Sequence, residues 1–409
     1  MRLGATRSFA VLFALTSCAD PRGGQAPPPA PAPGRAEGPP PGASARGSKA
    51  KAKSGAKAEL APDVSAQRYG MAFNNTNGLA RTADGALHFV YADGRSLLYE
   101  RRAKDDAVSV HTLATNGPRL MGVASDGGSG LVVAWSAGAP PMLYAAVSED
   151  AGATWTAPKP LSQLPGEGPT VMAWRAQGGL RAVVAWSSPL RDGEQRAASV
   201  WSSQLKGGAW SAPVQVTSGE DRSVWVALGG DADHVYAVWR AAPLTQETWT
   251  LTLAELGRGD RFGAPRSLGI EGHDPSLCID DRGGLHLGYH HQLTAYRAHS
   301  KDGGATWSAP VELGQGLFVR AQCGPGGEVV FDYERFLRPG RPTDSTIKTV
   351  SLVVSSDYGR TFTRIDPSGD GTGQTRPVTL LNPDGTIELR VLDQTGAEPK
   401  VTGSKVKTR

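Results

Sequence analysis

Arginines, histidines and large aromatics recur at one phase of this 409-residue sequence, at the starts of some apolar runs and the ends of others. The starts carry Arg119, Arg222, His273, Asp274, Arg320 and Arg376, and the ends carry Tyr91, Asp93, Trp186, Trp239, Arg240, His290, Tyr333 and Glu334. Arginine offers a planar fork of donors that fits a carboxylate, and an aromatic face suits a sugar ring. We therefore expect Tyr91, Arg119, Trp186, Trp239, Arg240, His273, Asp274, His290, Arg320 and Tyr333 to bind a ligand, either a glycan or a protein of the cell envelope. Trp135, Trp186 and Trp239 occupy matching places in successive runs, which packing between neighbouring sheets would also produce.

Metal chemistry has weaker support. The stretch Asp366-Pro-Ser-Gly-Asp370-Gly371 opens like a calcium loop, but Pro377 stands where a bidentate Glu belongs. His290 and His291 could join His273 and Asp274 around zinc, yet adjacent residues of a strand point to opposite faces. The expectation is no cofactor, with calcium at Asp366 and Asp370 as the alternative.

A repeat supplies the elements that must position these side chains. Ser148-Glu-Asp150-Ala-Gly152-Ala-Thr154-Trp155, Ser300-Lys-Asp302-Gly-Gly304-Ala-Thr306-Trp307 and Ser355-Ser-Asp357-Tyr-Gly359-Arg-Thr361-Phe362 share one pattern. Each lies between alternating apolar runs and reads as a hairpin turn, with Asp and Ser binding backbone N–H groups and Gly taking positive φ. Degenerate copies end at Trp210 and Phe262, so the aromatic recurs 45 to 55 residues apart, which is the length of a four-stranded propeller blade. With one unit before Trp155, the count is six blades, and seven is the alternative. The fold class is all-β, a propeller of four-stranded antiparallel blades over residues 64–395. The repeated turns join third to fourth strands, so they collect at one end of the sheets. The arginines and aromatics collect at the other, where loops converge and ligands bind.

The repeated turn resembles the Asp box of the sialidase superfamily, also called the BNR repeat. That resemblance implies a structural role for the boxes. It also implies a carboxylate clamp of Arg222, Arg320 and Arg376, a Tyr333–Glu334 nucleophile pair and Asp93 as acid/base, the set of an exo-α-sialidase or related glycoside hydrolase. The Arg-Ile-Pro that opens the first blade of such enzymes is replaced here by Asn77-Gly-Leu-Ala-Arg-Thr82. The expectation is accordingly a non-catalytic binder, with the glycosidase as alternative.

The front of the chain serves another purpose. Arg2 and Arg7 precede the apolar run Phe9–Leu15, too short to cross a bilayer, and Leu15-Thr-Ser-Cys18 resembles a bacterial lipobox. Residues 1–18 read as a lipoprotein signal with Cys18 lipidated, and 19–63, rich in Pro, Ala, Gly and Lys, as a disordered tether. The expected location is therefore an exported, membrane-anchored lipoprotein, periplasmic or at the cell surface. The signal, the tether and a basic flexible tail at 396–409 together carry more than the whole net charge of +4, leaving the folded body acidic. A nucleic-acid partner is not expected, and the basic tether suits an anionic lipid surface. Cys278 and Cys323 could form a disulfide in an exported protein or remain free thiols; spacing does not decide.

Overall fold

The computed structural model describes residues 69–70, 77–93, 95–188, 198–217, 219, 221–257, 260–337, 348–367, 374–393 and 400–408. The signal, Cys18, the tether and Asp370 lie outside these residues. Every regular element described is a β-strand, and the strands pair antiparallel into six sheets. Blade 1 spans Tyr69 to Ala114, blade 2 Pro118 to Pro160, blade 3 Glu167 to Gln215 and blade 4 Asp221 to Glu271. The fifth sheet has seven strands because Val311–Cys323 is shared: its first half pairs with Thr294–Ser300 and its second with Val329–Phe336. We call its two halves blades 5 and 6. Blade 7 has three strands, Gln374–Leu381, Thr386–Asp393 and Lys400–Lys407.

Six sheets agree with the sequence count, and the shared strand makes them seven packing layers, the alternative count. One apolar cluster fills each junction, and Leu79, Leu87, Phe89 and Val378 join blade 7 to blade 1. Second strands such as Leu131-Val-Val-Ala-Trp135 are apolar throughout because both faces are covered, which removes the usual alternation.

The basic stretch at the C-terminus is not a flexible tail. Lys400–Lys407 pairs along its whole length with Thr386–Asp393, and Val406 packs on the blade 6–7 cluster with Ile387 and Leu389. Charge composition misled the sequence reading because an edge strand tolerates lysine on its solvent face.

The three Asp boxes share one bonding scheme. The Ser148 hydroxyl donates to Asp150 at 2.8 Å and accepts from the Gly152 N–H at 2.9 Å. The Asp150 carboxylate accepts from the Thr154 N–H at 2.8 Å and its hydroxyl at 2.6 Å. The same bonds recur at Ser300–Thr306 and Ser355–Thr361. They hold the Asp302 and Asp357 carboxyls down to about 2. Each box then wedges against the preceding blade: a Cβ at Gly152 would collide with the Tyr99 hydroxyl, and Trp155 meets the Tyr99 ring edge-on at 4.9 Å. Trp307 and Phe362 do likewise at the blade 4–5 and 5–6 junctions.

A disulfide links Cys278 on the first strand of blade 5 to Cys323 on the first strand of blade 6, with Cα atoms 5.5 Å apart. The pairing left open by the sequence is thus formed.

Candidate binding site

At the end opposite the boxes, the first strands of blades 3 to 6 carry the same irregularity. Two residues oppose one between Glu167 and Thr170, Val224 and Ala227, His273 and Ser276, and Leu317 and Arg320. These are β-bulges, and the first bulge residue is left-handed each time: Gly168 (φ 60°), Trp225 (58°), Asp274 (47°) and Phe318 (57°). Only glycine takes that conformation without cost, so Trp225, Asp274 and Phe318 each carry backbone strain of about 1–3 kcal/mol. Opposite the bulges lie Trp186, Trp239, Tyr289 and Tyr333, all fully buried. Glycines two residues before three of the bulges, Gly166, Gly272 and Gly316, leave room for these rings.

The bulges bring together a run of rings and cations across blades 4 to 6. The Arg222 and Arg240 guanidiniums lie 4.9 and 4.5 Å from the Trp249 ring centroid. Arg240 Nη1 donates to His273 Nδ1, which leaves that imidazole neutral with its proton on Nε2. His273 stacks on His290 at 5.6 Å, and His290 meets Phe318 edge-on at 6.0 Å. The Asp274 carboxylate lies 3.8 Å from His290 Nδ1. Burial, reinforced by Arg240, brings His273 down to about 4 and His290 to about 3, so both rings are uncharged at neutral pH. Burial raises the Asp274 carboxyl, against the pull of Arg240 and His273. Such an arrangement can stack on a ring and donate hydrogen bonds.

Of the residues expected to bind, Arg240, His273, Asp274 and His290 meet here. Trp186, Trp239, Tyr91 and Tyr333 are instead core side chains, 0–5% exposed, filling the junction with the preceding blade. Arg119 is exposed on blade 2, where its charge acts on Glu167. Arg320 is buried and donates through Nε and Nη2 to Asp332 at 3.0 and 2.7 Å, while the Thr379 hydroxyl donates to the other oxygen at 2.5 Å. The sialidase set is not assembled: Tyr333 donates to the Leu313 carbonyl at 2.9 Å, Glu334 faces Lys348 at 3.4 Å, and Asp93 caps its own turn at Ser96. The side chain of Arg376 lies outside the described residues.

Asp366 accepts from Ser351 at 2.7 Å and pairs with Arg335 at 3.2 Å. Among the described residues no group of three or more His, Cys, Asp or Glu is placed to hold a metal. A shallow cavity of about 370 Å³ lies elsewhere, between Arg266–Ile270 and the blade 5 box at Gly304–Pro310. Its lining is residues Arg266–Ile270 of the edge strand Arg266–Glu271 and a box turn whose Ser300, Asp302 and Thr306 bond one another, so the bulge end is taken as the candidate site.

Sequence reasoning missed Trp249, Trp225 and the bulges themselves. Trp249 stands in the loop after Val235–Pro243, outside any periodic run. The bulges left one trace, a glycine followed three residues later by proline in Gly166–Pro169 and Gly272–Pro275.

No family model matches this sequence, and no curated protein matches it. Among solved structures it is similar to an ulvan lyase bound to GlcA(1-4)Rha3S, with TM-score 0.50 and 9% identity over 83% of this chain and 95% of that one. It is also similar to a mutant puromycin hydrolase complexed with PGG, with TM-score 0.53 and 13% identity over 83% of this chain and 54% of that one. A Trypanosoma rangeli sialidase gives TM-score 0.48 and 11% identity over 81% and 58%. At such identities the likeness is one of fold, and the fold this chain shares with them is an all-β propeller of antiparallel sheets.

Proposed function

We propose that this protein is an exported, lipid-anchored propeller that binds a glycan at the bulge-bearing end of blades 4 to 6 without turning it over. The carrying observation is the continuous run from Arg222 through Trp249, Arg240 and His273 to His290: a stacking face flanked by donors, at the loop end of a closed β fold. The Leu15-Thr-Ser-Cys18 motif and the Pro-rich stretch after it support the anchor. The non-catalytic reading is supported by the occupied states of Arg320, Tyr333 and Glu334, each committed to a partner inside the sheet. The fold alone selects no function, because propellers host unrelated ones.

A glycan panel against the full chain and against Trp249→Ala tests the reading. Binding by the wild type, lost in the variant at unchanged melting temperature, is the expected result. A panel with no binder would sink it. For the anchor, detergent partitioning should disappear in Cys18→Ser.

A further inference from the structure

The outer strand of blade 1, Val108–Ala114, is built unlike the outer strands of the other blades. Those of blades 2, 3 and 6 are only two or three residues long. Arg266–Glu271 begins and ends on a charge, Val311–Cys323 continues into the next blade, and Lys400–Lys407 presents Lys405 and Lys407. Short length, charge and proline are what keep sheet edges from pairing with other chains. Val108-Ser-Val-His-Thr-Leu-Ala114 has seven residues and none of these guards. Among the described residues its outer edge pairs with no strand, and Val108 and Val110 are 41% and 44% exposed.

The two valines stand on one face. Val110 lies opposite Glu100 and Val108 opposite Arg102, and directly opposed side chains share a face, so both valines look to the blade 7 side, where the Arg390 charge acts on Glu100. His111 and Leu113 take the other face, stacking on Tyr99 and packing on the blade 1–2 cluster. The ends of the strand differ in charge. Exposed Asp105 and Asp106 form the turn at its box end, beside Lys104, whose side chain folds over Gly85. Exposed Arg95 stands at its bulge end, two residues before Leu97, the cross-strand partner of Ala114.

We infer that this edge pairs antiparallel with the same edge of a second copy of the chain, joining the two blades into one continuous sheet about a two-fold axis. The strand carries no Asp, Glu, Lys or Arg, so two copies meet without like-charge repulsion across the pair. The two-fold axis keeps the valines of both copies on one face of the joined sheet, where they cover one another. Antiparallel pairing also sets the Asp105–Asp106 turn of each copy beside Arg95 of the other, whereas parallel pairing opposes acid to acid. Seven residues extend about 23 Å, so the contact is at the small end for a specific interface and the dimer forms at high protein concentration.

Sedimentation velocity of the full, unacylated chain from about 1 to about 500 μM tests the pairing. The sedimentation coefficient should rise to that of a dimer over this range, and amide exchange at Val108–Thr112 should slow as concentration rises. Val110→Lys should weaken dimerisation about ten-fold or more at an unchanged melting temperature, since each copy brings a charge to the shared edge. Arg95→Glu should weaken it several-fold, and Asp105→Arg added to the same chain should restore it. A monomer throughout the range overturns the inference, as does a dimer indifferent to Val110→Lys. Amides already protected in the dilute monomer would mean that another segment of the chain covers the edge, which overturns it too. Should Val110→Lys unfold the protein, the exchange of charge between Arg95 and Asp105 decides alone.

Discussion

The two ends of the sheets are built on opposite principles. At the Asp-box end the Ser, Asp and Thr side chains of each turn bond one another or the turn backbone, glycines take most of the positive φ values although Ala151 and Tyr358 share them, and the aromatic is sunk into a junction. At the bulge end a tryptophan, an aspartate and a phenylalanine take positive φ, two arginines stand together, and buried nitrogens lack partners. The first end spends its residues on stability, and the second keeps donors in reserve at a cost in stability. A reserve of that kind is what separates a binding surface from a scaffold.

The largest test removes Trp239, which underlies the bulge end yet is wholly buried. Trp239→Ala should lower stability by about 3–5 kcal/mol through the cavity it leaves, read from the denaturant midpoint. A lost ligand at unchanged midpoint would instead move Trp239 from the core to the site. Next in size is the disulfide. Closing a loop with a sequence separation of 45 residues, Cys278–Cys323 should contribute about 3–4 kcal/mol on the chain-entropy account. Reductant should lower the melting temperature of the wild type and leave a Cys278→Ser/Cys323→Ser variant unmoved.

Acid separates the ends by pH. His273 and His290 are held neutral in the fold at about 4 and 3, below their ordinary 6.5. The unfolded chain therefore binds protons first, and stability falls as pH drops from about 6.5 toward 4. His290→Asn should remove part of that loss; His273 and, at the box end, His88, both held down to about 4 by burial, keep much of the remainder. The box carboxylates behave differently. Asp302 and Asp357, held at about 2 against an ordinary 3.8, contribute stability that is present above pH 4 and vanishes as pH falls through 2. Asp302→Asn with Asp357→Asn should flatten the melting curve against pH only below 4, the smallest of these effects. A change above pH 5 would mean that the boxes and the bulges are coupled.

The boxes were legible because their chemistry is local: Ser, Asp, Gly and Thr within eight residues bond one another. The bulges were not, because two-against-one pairing exists only across strands. Arg320 shows the same limit. Its partner Asp332 is its direct cross-strand neighbour, a relation that depends on the register the bulge sets. Arg240, His273 and His290 were readable as residue types at strand ends, whereas Trp249, on a loop, carried no period. The final strand was hidden by its lysines, and the disulfide by the absence of any sequence rule that brings first strands of neighbouring blades within reach.

The strand shared by blades 5 and 6 has a mechanical consequence. Val311–Cys323 pairs by backbone hydrogen bonds with blade 5 along its first half and with blade 6 along its second, and the disulfide rivets that joint at its end. Between blades 7 and 1 the described contacts are side chains, the Leu79–Val378 cluster and the bonds of Arg81 to Asn382 and Glu388. The ring is therefore a bracelet with one welded link and one clasp. A load applied through the N-terminus arrives at blade 1, on the clasp side, so the protein should open there under force while blades 5 and 6 stay joined.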